Sequence, residues 1–264
     1  MVVEPIEIVK RIENKYGSRL SYLPNSTETK ACLPLFEDAD TGILFVYIPE
    51  GEYNMGFSEA EYTQIQRLSD YPNISIEEMQ PVRKVKIEPF LLSITPILNV
   101  HILRYNKLFG KSVEKDGADY SPFFCEYELA ESIANDLSTN IPNEEEWEYA
   151  CRGRSQSLFC FGDSIPSNAE LEKWLRWDLS SLTALNCNCF NLYGLFFGEW
   201  CSNDFTNTLA QDSDIVTGSK AVRGGGAMFW PWQDEEWVCC LSAFRMPSKD
   251  LLNNKSAFRL KLDI

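Results

Sequence analysis

Residues 141–152 read Ile-Pro-Asn-Glu-Glu-Glu-Trp-Glu-Tyr-Ala-Cys-Arg, a segment with clear signals for the start of a helix. Asn143 suits the N-cap because its side-chain oxygen can accept a hydrogen bond from an otherwise unpaired amide, and Glu146 completes a capping box three residues later. The acidic first turn also suits the positive end of the helix dipole. Trp147 and Ala150 then mark the face that we expect to be buried.

Shorter patterns surround this helix. Apolar, β-rich runs predict strands at residues 43–48, 53–56 and 82–90, and Pro49-Glu50-Gly51 is a turn signal that joins the first two into a hairpin. Helices are predicted at residues 6–13, around 59–68 and at 126–137. Beyond Ser155, frequent Gly, Pro, Asn and Ser residues are typical of a loop-rich region with little regular structure.

The composition bounds the domain organisation and the classes of partner. A hydrophobic fraction of 44% in 264 residues is ample for one large core. We therefore expect one α+β domain over residues 41–264, preceded by an N-terminal helix and a polar connection over residues 1–40. A net charge of −15 argues against a nucleic-acid or anionic-membrane partner, because both attract basic surfaces.

The start of the chain and its cysteines indicate a location. Glu4 and Glu7 stand where a signal peptide needs positive charge and an apolar run, and no apolar stretch is long enough for a transmembrane helix. Nine cysteines without a secretion signal are most simply free thiols in a reducing compartment. The expected location is therefore cytoplasmic.

Six segments with short glycine, tryptophan and arginine motifs follow one another along the chain, at residues 45–56, 81–87, 141–152, 161–169, 191–202 and 222–259. In the order and content of these motifs the chain resembles the formylglycine-generating-enzyme (sulfatase-modifying factor) family. The resemblance implies a C-type-lectin-like α+β fold, with small twisted antiparallel sheets, few helices and much irregular loop.

The motif residues are expected to serve the scaffold before any chemistry. Trp147 and Trp200 are predicted core aromatics, since such side chains bury large areas. A buried guanidinium is costly without a partner, so internal pairing with acids such as Glu199 or Glu146 is expected for three motif arginines: Arg223, Arg245 and Arg259.

The resemblance also implies where catalysis would lie. Oxidase members of the family bind copper through two cysteines five residues apart, a soft ligand set suited to monovalent copper. Alignment of Ser242 with the second cysteine places Trp237 at the first, and neither is a thiol. Cys239 and Cys240 lie between them, yet cannot supply both ligands at that spacing. The catalytic candidates Cys239, Cys240 and Ser242 are therefore weak, and no copper centre is expected.

The sequence does not support an iron or a zinc site either. The three-histidine iron site of a second catalytic branch is excluded because His101 is the only histidine, and it is expected to be structural. Cys187 and Cys189, together with Cys239 and Cys240, lack the usual spacing of a zinc site and are expected to be buried thiols.

Calcium is the one cofactor left open. The family's calcium-binding loop is shortened here before Trp200, so a site of the family type is in doubt. A replacement set of oxygen ligands is offered by Asn203, Asp204, Asp212 and Asp214.

A binding face is implied by the same resemblance. Variable proteins of diversity-generating retroelements use the loops after the Arg-Gly-Gly strand of this fold to recognise other proteins. In this chain those loops carry aromatic and charged residues suited to recognition, namely Phe229, Trp230, Trp232, Asp234, Glu235, Glu236 and Trp237, with Lys249 and Asn253 in a second loop over residues 246–255. The alternative is that the tryptophans belong to the core.

Three functions are compatible with these features. The leading prediction is a non-catalytic recognition module that binds a protein or small ligand through these loops. The alternative is a divergent enzyme of the superfamily, performing cysteine- or metal-dependent oxidation at a relocated site. The third is an accessory subunit docked by the N-terminal helix through Ile6, Val9 and Ile12, unless these residues pack on the domain itself.

Overall fold

The helix predicted from its capping signals is confirmed. The computed structural model describes residues 5–24, 33–68, 76–164, 187–225 and 236–264, and α5 covers Glu144–Arg152. Asn143 Oδ1 accepts a hydrogen bond from the Glu146 amide at 2.9 Å, and the Glu146 carboxylate accepts one from the Asn143 amide at 3.0 Å. Gly153 ends the helix at φ 55°, a left-handed conformation that glycine adopts at little cost.

Four more helices precede α5 in the described ranges. Their bounds are α1 Pro5–Tyr16, α2 Glu59–Leu68, α3 Asn99–Phe109 and α4 Tyr127–Asp136. The helices predicted at residues 6–13, 59–68 and 126–137 are therefore confirmed as α1, α2 and α4. Within the described residues, each helix is too short and too polar to cross a membrane.

The strands form three small antiparallel sheets. Their bounds are β1 Leu20–Tyr22, β2 Leu35–Asp38, β3 Leu44–Ile48, β4 Gly51–Met55, β5 Arg83–Ile87, β6 Phe90–Ser93, β7 Glu199–Thr206, β8 Ile215–Arg223, β9 Arg245–Pro247 and β10 Lys261–Asp263. The strand orders are β1-β2-β3-β6-β10, β4-β5 and β7-β8-β9. Helices and small antiparallel sheets together confirm the predicted α+β class.

The predicted hairpin over residues 43–56 is wrong in its pairing. Both strands form, but β3 pairs with β2 and β6, whereas β4 pairs with β5. The chain changes sheets at Pro49-Glu50-Gly51. Tyr149 contributes to this switch, because its hydroxyl donates to the Pro49 carbonyl at 3.0 Å and occupies the space that a side chain at Gly51 would fill.

The N-terminal helix packs on the rest of the described fold. Val9 and Ile12 are buried in a core cluster, whereas Ile6 is 67% exposed. Arg11 and Tyr16 donate hydrogen bonds to the carbonyls of Ile264 and Asp263 at the other end of the chain. The polar connection contains β1 and β2, two strands too short to be recognised in the sequence. The domain boundary at residue 40 stays a prediction.

The region after residue 155 is more regular than the sequence indicates. β7 and β8 have 8 and 9 residues and are the longest described strands. Their alternation is obscured because the register shifts between Trp200 and Asp204 and again between Asp204 and Thr206. β8 ends at Arg223, shortly before the segment that carries the predicted recognition residues.

Candidate functional site

Buried arginines and glutamates join α5 to the C-terminal strands. Arg245 pairs with Glu144. Its Nε and Nη2 donate hydrogen bonds to the two carboxylate oxygens of Glu144 at 2.8 and 2.7 Å. Its Nη1 donates to the carbonyls of Glu78 and Thr206, both within 2.9 Å. The guanidinium is 1% exposed. A bidentate, fully desolvated pair of this kind fixes the relative position of two elements.

Arg223 links the Arg245–Glu144 pair to the segment from Trp237 to Ser242, which holds the two positions of the family's copper ligands. It donates to the carboxylates of Glu148 and Glu144, and to the carbonyls of Ser242 and Ala243, each at 3.3 Å. The Ser242 backbone is thereby held on the same cation that anchors α5. The position of the segment therefore depends on the buried charges.

Two further arginines make buried ion pairs around α5. Arg152 donates to Glu148 and Glu61 at 2.8 Å. Arg259 donates to Glu199 at 2.9 and 3.1 Å, and the same carboxylate accepts from the Trp147 indole at 2.8 Å.

The predicted internal pairing of Arg223, Arg245 and Arg259 is confirmed, and Glu199 is one of the predicted acids. The other predicted acid, Glu146, is wrong as a partner of these arginines, because it caps α5 and pairs with Lys261. Trp147 and Trp200 are each 1% exposed, as predicted for core aromatics. Glu61, Glu144 and Glu148 were not predicted as partners, because the only sequence signal they carry is a place in a helix.

The buried carboxylates divide in their acidity. Burial alone would raise the pKa of Glu144, but Arg245 and Arg223 outweigh it and hold that pKa below its ordinary value. Burial would also raise the pKa of Glu148, but Arg223 and Arg152 outweigh it, so this pKa is lowered as well. At Glu199 burial outweighs Arg259, so the pKa is raised. Two of the three acids are thus stabilised as anions by the fold.

The segment at the family's copper position is packed into the core. Trp237 is 7% exposed and meets the Phe159 ring edge-on, with ring centroids 6.0 Å apart. Phe159 stacks in turn on Phe161 at 5.1 Å. Phe159 and Leu241 form an antiparallel bridge, and the Ser242 amide donates to the Leu158 carbonyl at 2.7 Å.

Neither family ligand position fits copper. The indole of Trp237 offers no lone pair for a metal, and Ser242 presents a hard oxygen where monovalent copper prefers soft sulfur. Ser242 Oγ is wholly buried and has no hydrogen-bond partner among the described residues. We therefore derive no chemistry through copper at this pair.

Of the remaining candidate nucleophiles, Cys240 lies where ionisation of its thiol is disfavoured. Cys240 is buried, and burial, followed by the nearby Cys239 and Cys151 thiols, raises the pKa of its thiol. Cys239 is partly exposed. Within the described ranges, no three His, Cys, Asp or Glu side chains are grouped so that they can hold a metal ion, which includes the zinc set with Cys187 and Cys189.

His101 has the predicted structural role. Its Nδ1 accepts a hydrogen bond from the Leu98 amide at 3.1 Å, at the start of α3. Burial, reinforced by Arg104, lowers the pKa of His101 to about 4. The ring is therefore neutral near pH 7, as an acceptor in this position must be.

The oxygens proposed for calcium are largely engaged. Asn203 exchanges two hydrogen bonds with Glu144, both at 2.9 Å, and Asp204 pairs with Lys220 at 2.9 Å. Asp212 and Asp214 are exposed. A calcium site here stays a prediction.

The predicted recognition residues are only partly described. Phe229, Trp230, Trp232, Asp234 and Glu235 lie outside the described residues, as does the side chain of Glu236. Lys249 and Asn253 are exposed in the second loop. The start of that loop is anchored by Ser248, whose hydroxyl accepts from the Lys220 amide at 3.0 Å and lies 3.2 Å from the Ser219 hydroxyl.

Comparison with known proteins gives the family and the fold. The sulfatase-modifying factor enzyme 1-like domain family matches residues 36–263. The structure of PvdO from Pseudomonas aeruginosa is similar at a TM-score of 0.63 and 17% identity, covering 87% of this chain and 98% of that one. Treponema denticola variable protein 1 is similar at a TM-score of 0.53 and 14% identity, covering 86% and 98%. No curated protein matches the sequence. These structural similarities support the predicted fold. At this level of sequence identity they do not indicate a function.

Proposed function

The chain belongs to the sulfatase-modifying factor enzyme 1-like domain family, and on that scaffold we propose that it is a non-catalytic recognition module. It binds a protein or small ligand through two loops, which we call the first loop (residues 226–236) and the second loop (residues 246–255). The proposal rests on one observation above the others: the two positions that bear the family's thiol pair carry Trp237 and Ser242, both built into the core.

Trp237, which follows the first loop in the sequence, packs in the interior. Because the indole rests on Phe159, it serves as a fixed end for the loop that precedes it rather than as a contact residue. The preceding residues include Phe229, Trp230 and Trp232 followed by Asp234 and Glu235. Aromatic anchors beside charged residues are the composition of interface hot spots.

The second loop presents polar side chains from an anchored backbone. Ser248 is buried and hydrogen-bonded at its start, whereas Lys249 and Asn253 face solvent. Asn253 and Asn254 adopt φ of 62° and 50°, a left-handed conformation that asparagine tolerates better than most residues. A loop held at one end with its side chains exposed suits recognition with little ordering cost.

The decisive experiment separates binding from folding. The double variant Trp230→Ala/Trp232→Ala and the variant Lys249→Ala/Asn253→Ala are used beside wild type to capture ligands from a lysate of the native host, with quantitative mass spectrometry. Loss of the same captured molecule in both variants, with the free energy of unfolding changed by less than about 1 kcal/mol, supports the proposal. Unchanged capture, or cooperative destabilisation by several kcal/mol, contradicts it.

A second function retains support from one cluster of thiols. Cys240 lies near Cys151 and Cys160, so a divergent enzyme with cysteine- or metal-dependent oxidation at a relocated site is the alternative. Metal analysis of purified protein and oxygen consumption with a thiol-containing peptide test it. One equivalent of metal and turnover, both lost in Cys240→Ala, would establish the enzyme in place of the recognition module.

The location and classes of partner follow the same proposal. We propose a cytoplasmic protein that binds neither nucleic acid nor membrane, in keeping with its charge of −15. Cys125, Cys151, Cys160, Cys201 and Cys240 are present as thiols, which suits a reducing compartment.

A further inference from the structure

A cavity of about 610 Å³ lies between α3 and the turn that follows β2. Its size falls within the roughly 300–1,000 Å³ of pockets that hold small ligands. Two cations from α3, Arg104 and Lys107, line the cavity together with two carboxylates, Glu37 in β2 and Asp40 in the turn. None of the lining residues belongs to the first or the second loop, so the cavity is separate from the proposed recognition surface.

The four charged side chains of this cavity are not paired with one another. Among the described residues, none of the four has an oppositely charged side chain within 4.0 Å. By contrast, Lys111, just beyond α3, pairs with Asp136 at 3.4 Å. Cations and carboxylates that line one cavity without meeting leave both kinds of charge available to a bound molecule.

Arg104 is held in place by the turn. Its Nη1 donates a hydrogen bond to the Thr41 carbonyl at 2.9 Å. A Cβ at Gly42 would lie 1.6 Å from the same nitrogen, so the guanidinium occupies space that is free because residue 42 is glycine. The other N–H groups of Arg104 have no hydrogen-bond partner among the described residues. The cation is therefore positioned in advance, which lowers the ordering cost of binding.

The turn that carries Asp40 is also fixed. Asp38 Oδ1 accepts hydrogen bonds from the amides of Asp40 and Thr41 at 3.2 and 2.9 Å, and the Gly42 amide donates to the Asp38 carbonyl at 2.7 Å. Asp38 is itself buried and pairs with Arg19 at 2.9 Å. These bonds hold the backbone of Asp40 and leave its carboxylate unused.

From this arrangement we propose that the cavity binds a small zwitterion of the amino-acid or short-peptide class. The carboxylate of the ligand pairs with Arg104 and Lys107, and its ammonium group pairs with Glu37 and Asp40. A simple anion would meet two carboxylates, and a simple cation would meet two cations, so a ligand that carries both charges is favoured over either. Leu108, which lines the same cavity and is 47% exposed, offers an apolar contact to the ligand's side chain.

Calorimetric titration of the full chain tests the proposal. The probes are the common free L-amino acids and the dipeptide glycylleucine, and we expect saturable binding of at least one of them. Its amide, which lacks the carboxylate, and its N-acetyl derivative, which lacks the ammonium group, should each bind at least about tenfold more weakly, because each loses a charge-assisted pair. The tightest-binding probe shows whether free amino acids or peptides are preferred.

Two variants assign the two ends of the ligand. Arg104→Gln should weaken binding of the zwitterion several-fold and leave binding of its amide unchanged. Asp40→Asn should weaken the zwitterion to a similar extent and leave the N-acetyl derivative unchanged. Lys111→Gln is the matched control, because it removes an exposed cation outside the cavity and should preserve all of these affinities. The three substituted residues are exposed, so each variant should fold as wild type does.

Three results would overturn the proposal. The first is the absence of saturable binding by every probe. The second is binding of inorganic phosphate or of the N-acetyl derivative as tightly as the zwitterion, which would make the cavity a simple anion site. The third is equal binding of the zwitterion by wild type, Arg104→Gln and Asp40→Asn. Ligand capture by the two loops is measured separately and depends on none of these results.

Discussion

The buried charges around α5 and the segment from Trp237 to Ser242 lie side by side, yet they relate to the family pattern in opposite ways. Around α5, each motif arginine keeps a carboxylate partner within hydrogen-bonding distance. In the segment, the positions associated with the family's chemistry hold an indole packed on Phe159 and a buried hydroxyl with no hydrogen-bond partner among the described residues. In this chain the arginine motifs therefore stabilise the packing of the fold, and they are retained without the thiol pair.

The two regions are nevertheless joined through Arg223. Its guanidinium binds Glu148 on α5 and also the carbonyls of Ser242 and Ala243. Arg223 holds the segment through backbone carbonyls, so this contact does not depend on the side chain at Ser242.

Removal of Arg223 should have the largest effect on stability. The variant Arg223→Met leaves Glu148 buried with only Arg152 as its cation and frees the two carbonyls, so we expect a loss of about 3–5 kcal/mol in the free energy of unfolding, measured with urea. The matched control is Lys86→Gln, which removes an exposed pair with Glu88 and should leave the free energy of unfolding almost unchanged. Equal small losses in both variants would show that the buried pair does not hold the scaffold.

Trp237→Ala tests the packing of the segment. Because the indole is buried against Phe159, truncation should cost about 3 kcal/mol. Trp230→Ala, in the first loop, serves as the comparison and should cost less than about 1 kcal/mol. A near-neutral Trp237→Ala would return this residue to the binding face and weaken the distinction between core and loop.

Acid should weaken the scaffold through two carboxylates. The folded pKa values of Glu144 and Glu148 lie below the ordinary glutamate value, so the unfolded chain binds more protons as the pH falls through about 4.3. The stability that these anions contribute is present above that pH and is lost as the pH falls through their folded pKa values. The raised pKa of Glu199 acts in the opposite sense and offsets part of the loss.

This dependence can be measured by urea unfolding between pH 6 and pH 3, values chosen to span the ordinary glutamate pKa of about 4.3. We expect Glu144→Gln to lower stability at pH 6 and to flatten the pH profile. A variant profile parallel to that of wild type would exclude Glu144 as a source of the acid sensitivity.

A pair of serines gives the smallest and most discriminating effect. Ser248→Ala removes hydrogen bonds to the Lys220 amide and the Ser219 hydroxyl and should cost about 1 kcal/mol. Ser242→Ala removes a buried hydroxyl that has no partner among the described residues, so it should be neutral or slightly stabilising. A loss of more than about 1 kcal/mol from Ser242→Ala would mean that its hydroxyl is bonded in solution.

Much of the fold could be predicted from local patterns in the sequence. The N-cap of Asn143 and the faces of α1 and α4 depend on neighbours within a few residues, so the sequence indicates them directly. The order of the motifs predicted the family because the motifs extend over most of the chain, from residue 45 to residue 259. The short strands β1 and β2 gave no signal, since three or four residues in a polar stretch cannot show a period.

Long-range pairing could not be predicted from the sequence. Arg152 and Glu61 are 91 residues apart, and nothing local distinguishes Glu61 from the other acids of α2. The separation of β3 from β4 into different sheets likewise depends on contacts with β2, β5 and β6. At the site, the sequence located Trp237 and Ser242, but their burial follows from Phe159 and Leu158, which lie about 80 residues earlier.

We propose that this chain keeps the fold without the family's copper chemistry. The direct test is metal analysis of the protein purified from its native host, followed by titration of the reduced protein with monovalent copper against a competing chelator, for wild type and Cys240→Ala. We predict no stoichiometric copper in the purified protein and the same weak uptake by both proteins. One equivalent of tightly held copper in wild type, lost in Cys240→Ala, would contradict it.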